Sequence, residues 1–520
     1  MLKKFLKNKS NQKLISRTIL GLERETIRVD SEGNFSLKPH SKKLGAAYTH
    51  PLIKTDFSES QVEYATKPSI QTKIVLKNLA DLHSFTQKAI DKENLWPFSM
   101  PPHLPEFEDE IPLAVYGKTP DAEKKTIYRR GLGLRYGRKM QTISGVHVNI
   151  SFSKPLMEWV SKNRYGAKLT RDIQSEIYLD TIRNFNRFSF LILYFFGASP
   201  AMDKSFTKKN SQLQDYNGDT YFGSFATTLR LSELGYTSEV QKKIYISTNS
   251  IQEYIESLCY AINTQYPPYT KFNNFSDNEK YQLNDHYLQL ENEYYALIRP
   301  KQIPKFDERP IDSLNKRGIR YLEVRCIDVD PFSPIGVSEE AILFTQIYLM
   351  YCLLEDSPKT NKEEKIDWDN NQFAVCWNGR DLKTEYTVYG EKKTILEYGN
   401  SILDKLQGIA EFWDKNTKTI KYTEVIKNQR FKLEHPEVTP SGSILKIFER
   451  DKVGFLELGN TIAKKYKSYF LQRGIEEKVE INLNKMRDES LKELIEIEKN
   501  TLVQKFEKLE KAEICIGEYK

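Results

Sequence analysis

Two carboxylates stand two residues apart in Gly21-Leu22-Glu23-Arg24-Glu25-Thr26-Ile27-Arg28-Val29. The alternation of this run reads as a β-strand with Glu23, Glu25, Ile27 and Val29 on one side. Like charges that continue an apolar row repel each other and lose hydration near an interior, so such a pair is tolerated mainly when cations neutralise it. In Tyr321-Leu322-Glu323-Val324-Arg325 through Val329, charge again interrupts an apolar row, although here Glu323 and Arg325 could simply pair with each other. Between Gln141 and Phe152, Val146, Val148, Ile150 and Phe152 make one face, while Gln141, Gly145, His147, Asn149 and Ser151 make a polar one. A lone histidine on a strand is more often structural than a metal ligand, so His147 counts only in company. The segment Asp56 to Glu63 adds two more carboxylates. Glu23, Glu25, Asp56, Glu63, His147 and Glu323 are therefore six candidate donors, and a mostly carboxylate set suits a hard divalent ion that also binds phosphate oxygens, magnesium being the simplest choice.

If phosphate is bound, the usual loops do not hold it. Gly117-Lys118-Thr119 lacks the upstream glycine of a P-loop, position 112 being Pro112, and the glycines at 131, 133 and 137 have the wrong last interval for a dinucleotide loop. Arginines such as Arg230 and Arg325, together with magnesium, are the alternative way to hold a transferring phosphoryl group.

The elements that must position these groups are strands over Gly21 to Val29, Gln61 to Thr66, Thr142 to Phe152 and Tyr321 to Val329. Helical spacing covers Lys73 to Asp91, Asp172 to Phe196, Ser250 to Asn263 and Ser338 to Glu355. Strands separated by long helical stretches predict an α+β core with helical insertions. Beyond about residue 356 the chain turns charged and helical. We expect a catalytic part over 1–356 and a mainly helical part over 357–520, whose Glu/Lys-rich run from Glu476 to Glu513 docks one apolar stripe carrying Val479, Ile481, Leu483 and Met486.

Composition narrows the classes further. The formal charge of +7 is the small difference between 78 basic and 71 acidic residues, interspersed rather than gathered into a stripe, which argues against nucleic acid as a partner. Five cysteines without a CxxC pair indicate neither a disulfide framework nor a zinc knuckle. The basic N-terminus is followed by no apolar leader segment, and the apolar stretch from Phe188 to Ala198 is about half of a bilayer span. A cytoplasmic protein with no membrane segment is expected, and a monomer is allowed.

Several blocks resemble the bacterial glutamate-cysteine ligases. They are Gly-Leu-Glu-Arg-Glu-Thr (21 to 26), Thr55-Asp56-Phe57, Gln141 to His147, Leu229-Arg230-Leu231-Ser232 with Leu234-Gly235-Tyr236, Glu291 to Ala296, and Tyr321 to Arg325 followed by Asp330 to Gly336. They occur in order from about residue 15 to 356. The resemblance implies a fold similar to glutamine synthetase, a curved and mostly antiparallel sheet forming an active-site funnel. It implies that ATP phosphorylates the γ-carboxylate of glutamate and that the amino group of cysteine then displaces phosphate, the first step of glutathione synthesis.

By the same resemblance the six donors hold magnesium, with manganese as a substitute, and Arg325 and Arg230 stabilise the transferring phosphoryl group. Phe57, Tyr128, Tyr236 and Tyr295 line the cysteine pocket, and Arg129, Gln141 and Asn149 receive the backbone groups of glutamate. The pattern departs around Pro101-Pro102-His103 and from Lys118 to Lys125, and it thins after residue 360. Two alternatives stand beside this reading: a ligase that joins glutamate to a different amine, which an apolar pocket separates by only ~1 to 3 kcal/mol per methyl-sized difference, and a nucleic-acid-binding or scaffold protein.

Overall fold

A computed structural model of the chain describes residues 1–15, 17–208, 210–236, 238–273, 280–305, 308–501 and 515. Its centre is a sheet built from β1 (Ile19–Val29), β2 (Ile53–Thr55), β3 (Gln61–Ala65), β4 (Asn94–Leu95) and β5 (Val146–Ser151). Three short strands, β6 (Ala201–Asp203), β7 (Gln214–Tyr216) and β8 (Thr220–Phe222), make a separate small sheet. The central sheet is completed by β9 (Ile298–Lys301) and β10 (Tyr321–Ile327). Its order is β2-β3-β1-β5-β10-β9, with β4 also on β1, and every pairing is antiparallel.

Period-two alternation sorts the sheet into two faces. Leu20, Leu22, Val62, Tyr64, Val146, Val148, Ile150, Leu322 and Val324 all enter the main hydrophobic core. The helices Thr72–Ala89, Arg171–Arg187 and Glu339–Leu354 supply its other layer; the last is buried at every residue from Ala341 to Leu354 and so is apolar all round. A second core gathers Ile27, Val29, Phe57, Trp96 and Phe98 against Phe455 and Ala201. Helices from Ile395 to Thr501 wrap these layers; Gly459 packs so tightly on Trp96 that an added Cβ would lie 2.1 Å from its ring.

The expected elements exist, with three changes. Thr142 to Gly145 lies outside the strand, which begins at Val146, and Gln141 ends the short helix Arg138–Gln141 instead. The helix expected over Asp172 to Phe196 breaks at Phe188, whose φ of −124° and ψ of 20° leave the helical region. On the final helix, Glu477–Thr501, Val479, Leu483 and Met486 meet the core while Ile481 faces outward, and the remainder of the expected run falls outside the described residues.

One expectation is corrected outright. Cys259 and Cys515 form a disulfide across 256 positions. The bond joins the helix Ile251–Asn263 to the far end of the chain, a proximity that no local cysteine spacing encodes. Cys326, Cys352 and Cys376 are free and buried. No helix among the described residues is long and apolar enough to cross a membrane.

Candidate active site

Strand register assembles the site. β1 lies between β3 and β5, so Glu25 stands opposite Glu63 and Glu23 stands opposite His147. β10 sets Glu323 opposite Asn149, and β9 sets Arg299 opposite Glu323. Asp56 follows the end of β2, whose Lys54 faces Glu63. Side chains directly opposite on one face approach within about 5.5 Å at Cβ, and a single row of charge results. Glu23, Glu25, Asp56, Glu63, His147 and Glu323 all line one cavity of about 530 Å³.

The imidazole of His147 sits between two carboxylates, with Nδ1 3.1 Å from Glu23 Oε2 and Nε2 3.5 Å from Glu25 Oε1. Asn149 Nδ2 donates to Glu23 Oε1 at 2.8 Å, and the Gly145 amide donates to Glu25 Oε2 at 2.8 Å. Burial, with Asp56, Glu23 and Glu25 adding to it, holds the Glu63 carboxyl well above the ordinary glutamate value. Glu25 is raised too, chiefly by burial, which the nearby His147, Arg230 and Arg325 only partly offset. Burial also pushes Glu323 upward, but Lys301 at 3.5 Å and Arg325 at 3.2 Å overcome it and hold this carboxylate far below its usual range. Acidic groups squeezed together at one end and cation-paired at the other make a graded field rather than a neutral patch.

Arg325 is placed by an irregularity. The register of β10 on β5 shifts between Val324 and Ile327, a bulge that re-aims the residues within it. The surrounding Glu323, Glu25 and Glu23 lift the Arg325 guanidinium further above its usual value than its burial lowers it. Arg230 sits in the turn Leu229–Leu231 and donates to the Arg325 carbonyl at 2.9 Å. It fits only because two neighbours lack side chains: a Cβ on Gly145 would lie 2.1 Å from its guanidinium, and one on Gly235 would lie 1.9 Å from its carbonyl. Behind it is Asp328, fully buried, 3.5 Å from Arg230 and accepting from the Ala198 amide and the Thr228 hydroxyl.

Beside Asp56 and Arg230 the wall of the cavity is aromatic. Phe57, Tyr128, Tyr236 and Tyr295 line it, with the rings of Tyr236 and Tyr295 5.5 Å apart. Tyr236 donates to the Ile143 carbonyl at 2.6 Å, Tyr295 accepts from Gln141 Nε2 at 3.0 Å, and the Arg230 guanidinium lies 5.5 Å from the Tyr236 ring. Arg129 donates to the Asp56 carbonyl and stacks on Tyr116 at 4.6 Å.

The structure thus brings every predicted site residue to one place, and only Asn149 is missing from the cavity wall, its amide being spent on Glu23. Arg299 and Lys301 also line the cavity, and their only signal in the sequence is alternation within the short segment Ile298–Lys301. Asp328 left no signal, because a carboxylate three residues after Arg325, just past the strand, looks like surface until Arg230 is folded against it. Lys365, Trp368, Asp369 and Gln372 carry the wall past residue 356, on the helix Lys362–Asn378.

Comparison with known proteins agrees with this geometry. The family model described as glutamate-cysteine ligase matches residues 3–375. A glutamate-cysteine ligase of Leptospira interrogans is 44% identical over 453 residues, which cover 86% of each chain. One from Pseudomonas aeruginosa is 37% identical over 494 residues, 94% of this chain and 93% of that one. The crystal structure of glutamate-cysteine ligase from Francisella tularensis in complex with AMP superimposes with a TM-score of 0.88 at 31% identity, covering 96% of this chain and 97% of the other. The fold is that of the glutamine-synthetase-like ligases. With this fold, this cavity and these relatives, the chain belongs to the glutamate-cysteine ligase family.

Proposed function

We propose that the chain joins the γ-carboxylate of glutamate to the α-amino group of cysteine at the expense of ATP, through a γ-glutamyl phosphate, as the first step of glutathione synthesis. One observation carries the reading: an acidic row drawn from distant parts of the chain meets two arginines and an aromatic pocket in a single cavity. The donor set fits magnesium, or manganese in its place. Glu23, His147 and Glu323 offer ligand atoms all within 4.8 Å of one another, and Oε2 of Glu323 has no hydrogen-bond partner despite its burial. Glu25, Asp56 and Glu63 extend the set along the same wall. A divalent cation bound there supplies neutralisation of the nucleotide phosphates and of the carboxylates around them.

The chain's own residues do the positioning. Arg325 and Arg230 face the point where charge develops as the γ-phosphoryl group passes to glutamate, and their fixed guanidiniums need no reorganisation there. Asp328 holds Arg230 in line from behind. Arg129 and Gln141 take the backbone groups of glutamate, and Asn149 keeps Glu23 oriented. Phe57, Tyr128, Tyr236 and Tyr295 receive cysteine and exclude water, so that the amine attacks the acyl carbon and phosphate departs. An ATP-consuming reaction of this kind belongs in the cytoplasm. The test is ADP release with glutamate, ATP and a panel of acceptors, with and without magnesium: turnover should require the metal and should favour cysteine over 2-aminobutyrate and simple amines. Metal-independent turnover, or indifference to the acceptor, would refute it.

A further inference from the structure

The cavity does not end at the acceptor tyrosines. A second cleft of about 240 Å³ shares Tyr236, Tyr294, Tyr295, Lys365, Asp369 and Gln372 with it. None of the six acidic and imidazole donors lines this cleft, and neither do Arg230 and Arg325. Its junction with the main cavity therefore lies at the acceptor tyrosines Tyr236 and Tyr295. Beyond the junction the wall is cationic, with Lys242, Lys243 and Lys362, while at the junction Lys365 is already engaged by Asp369. Lys242 is steadied by Glu239 at 2.6 Å and lies 4.9 Å from the Phe373 ring, and Lys243 lies 5.5 Å from the Tyr266 ring.

We propose that this cleft takes the carboxylate tail of a longer acceptor, so that the enzyme also γ-glutamylates a dipeptide whose first residue is cysteine. The inference rests on the acceptor reading of Tyr236 and Tyr295 given above. In such a dipeptide the carboxyl of cysteine is an amide, and the free carboxylate lies about 3.5 Å further along the chain. That shift carries the negative charge out of the aromatic pocket and toward the lysines, where opposite charge steers and selects it. The chemistry is unchanged: the dipeptide's amine forms the new C–N bond with the acyl carbon of γ-glutamyl phosphate, the C–O bond to phosphate breaks, phosphate leaves with the electron pair, and the amine's proton passes to solvent.

The experiment compares L-cysteinylglycine with cysteine as acceptor, reading ADP release and product mass, in the unaltered enzyme and in Lys242→Glu/Lys243→Glu. The dipeptide should be consumed to give the γ-glutamyl tripeptide. The double variant should raise its KM about tenfold while leaving the KM for cysteine within about twofold, the scale of two exposed charge pairs. Lys362→Glu is an independent variant expected to act in the same direction. Because cysteine turnover reports folding of each variant, failure to use the dipeptide while cysteine is ligated overturns the proposal. Equal losses on both acceptors, or a rise confined to the KM for ATP, would also overturn it, the latter by giving the cleft to the nucleotide. No ADP release even with cysteine would instead bring down the functional reading on which it stands.

Discussion

The two ends of the cavity are satisfied in opposite ways. At the acidic end, Glu25 and Glu63 face each other across the strand pair with burial raising both. At the aromatic end, Tyr236 already donates to Ile143 and Tyr295 already accepts from Gln141. Buried carboxylates without enough cations are costly, whereas buried hydroxyls with partners are nearly neutral to stability. On the proposed reading, the acidic end is completed by a cation from outside, while the aromatic end is a preformed shape whose hydroxyls are already paired.

This contrast can be broken most sharply at Arg325. Arg325→Ala should lower kcat about 10³-fold, the cost of losing a preorganised charge at the developing phosphoryl, as read by ADP release. A loss under tenfold would mean that this charge is dispensable and that the acidic end does not carry the chemistry. The next effect concerns the protons on the acidic row. Glu63 and Glu25 have folded values raised above the ordinary 4.5, so the stability they contribute is present below that pH and is lost as pH rises through their folded values. Magnesium competes with those protons, so its stabilisation should grow from pH 5.5 to pH 8 and reach about 2.7 kcal/mol at a hundredfold excess over its Kd. Thermal melting with and without the metal checks this, and an equal shift at both pH values would contradict it.

A smaller effect separates positioning from chemistry. Asp328→Ala should reduce kcat about thirtyfold with little change in KM, and Asp328→Asn should recover part of it, because the one acceptor oxygen of the amide still holds some of the donors that the two carboxylate oxygens hold. Steady-state kinetics on both variants would show it; identical losses would reduce Asp328 to packing. Smallest of all, Tyr236→Phe removes one hydroxyl already paired within the protein and should raise the KM for cysteine only about threefold, with kcat kept. If it instead abolished turnover, the aromatic end would be catalytic and the contrast would collapse.

The same contrast explains what could be read without a structure. Glu23 and Glu25 stand out because charge in a strand-like row is anomalous wherever it occurs, and the period of two fixes which residues share its side. Tyr128, Tyr236 and Tyr295 do not stand out among 30 tyrosines, since an aromatic body is first a packing residue; only the resemblance of whole blocks singled them out. Gln141 was legible as a residue of the site but not as part of a helix, because the polar face of the following strand continues its pattern. The wall residues Trp368 and Gln372 were invisible, as their helix reads like any charged surface segment.

The sequence by itself determined four strands of the central sheet, the side on which their carboxylates lie and the family, because alternation and ordered blocks are properties of neighbouring residues. The tertiary structure alone decided that Glu63 meets Glu25 across β1 and β3, that Asp328 stands behind Arg230, that Cys259 reaches Cys515 and that a lysine-lined cleft opens beside Tyr295. Each of these is a contact between residues far apart in the chain, set by register and packing. No local pattern specifies which distant partner a side chain will meet once the sheet has closed.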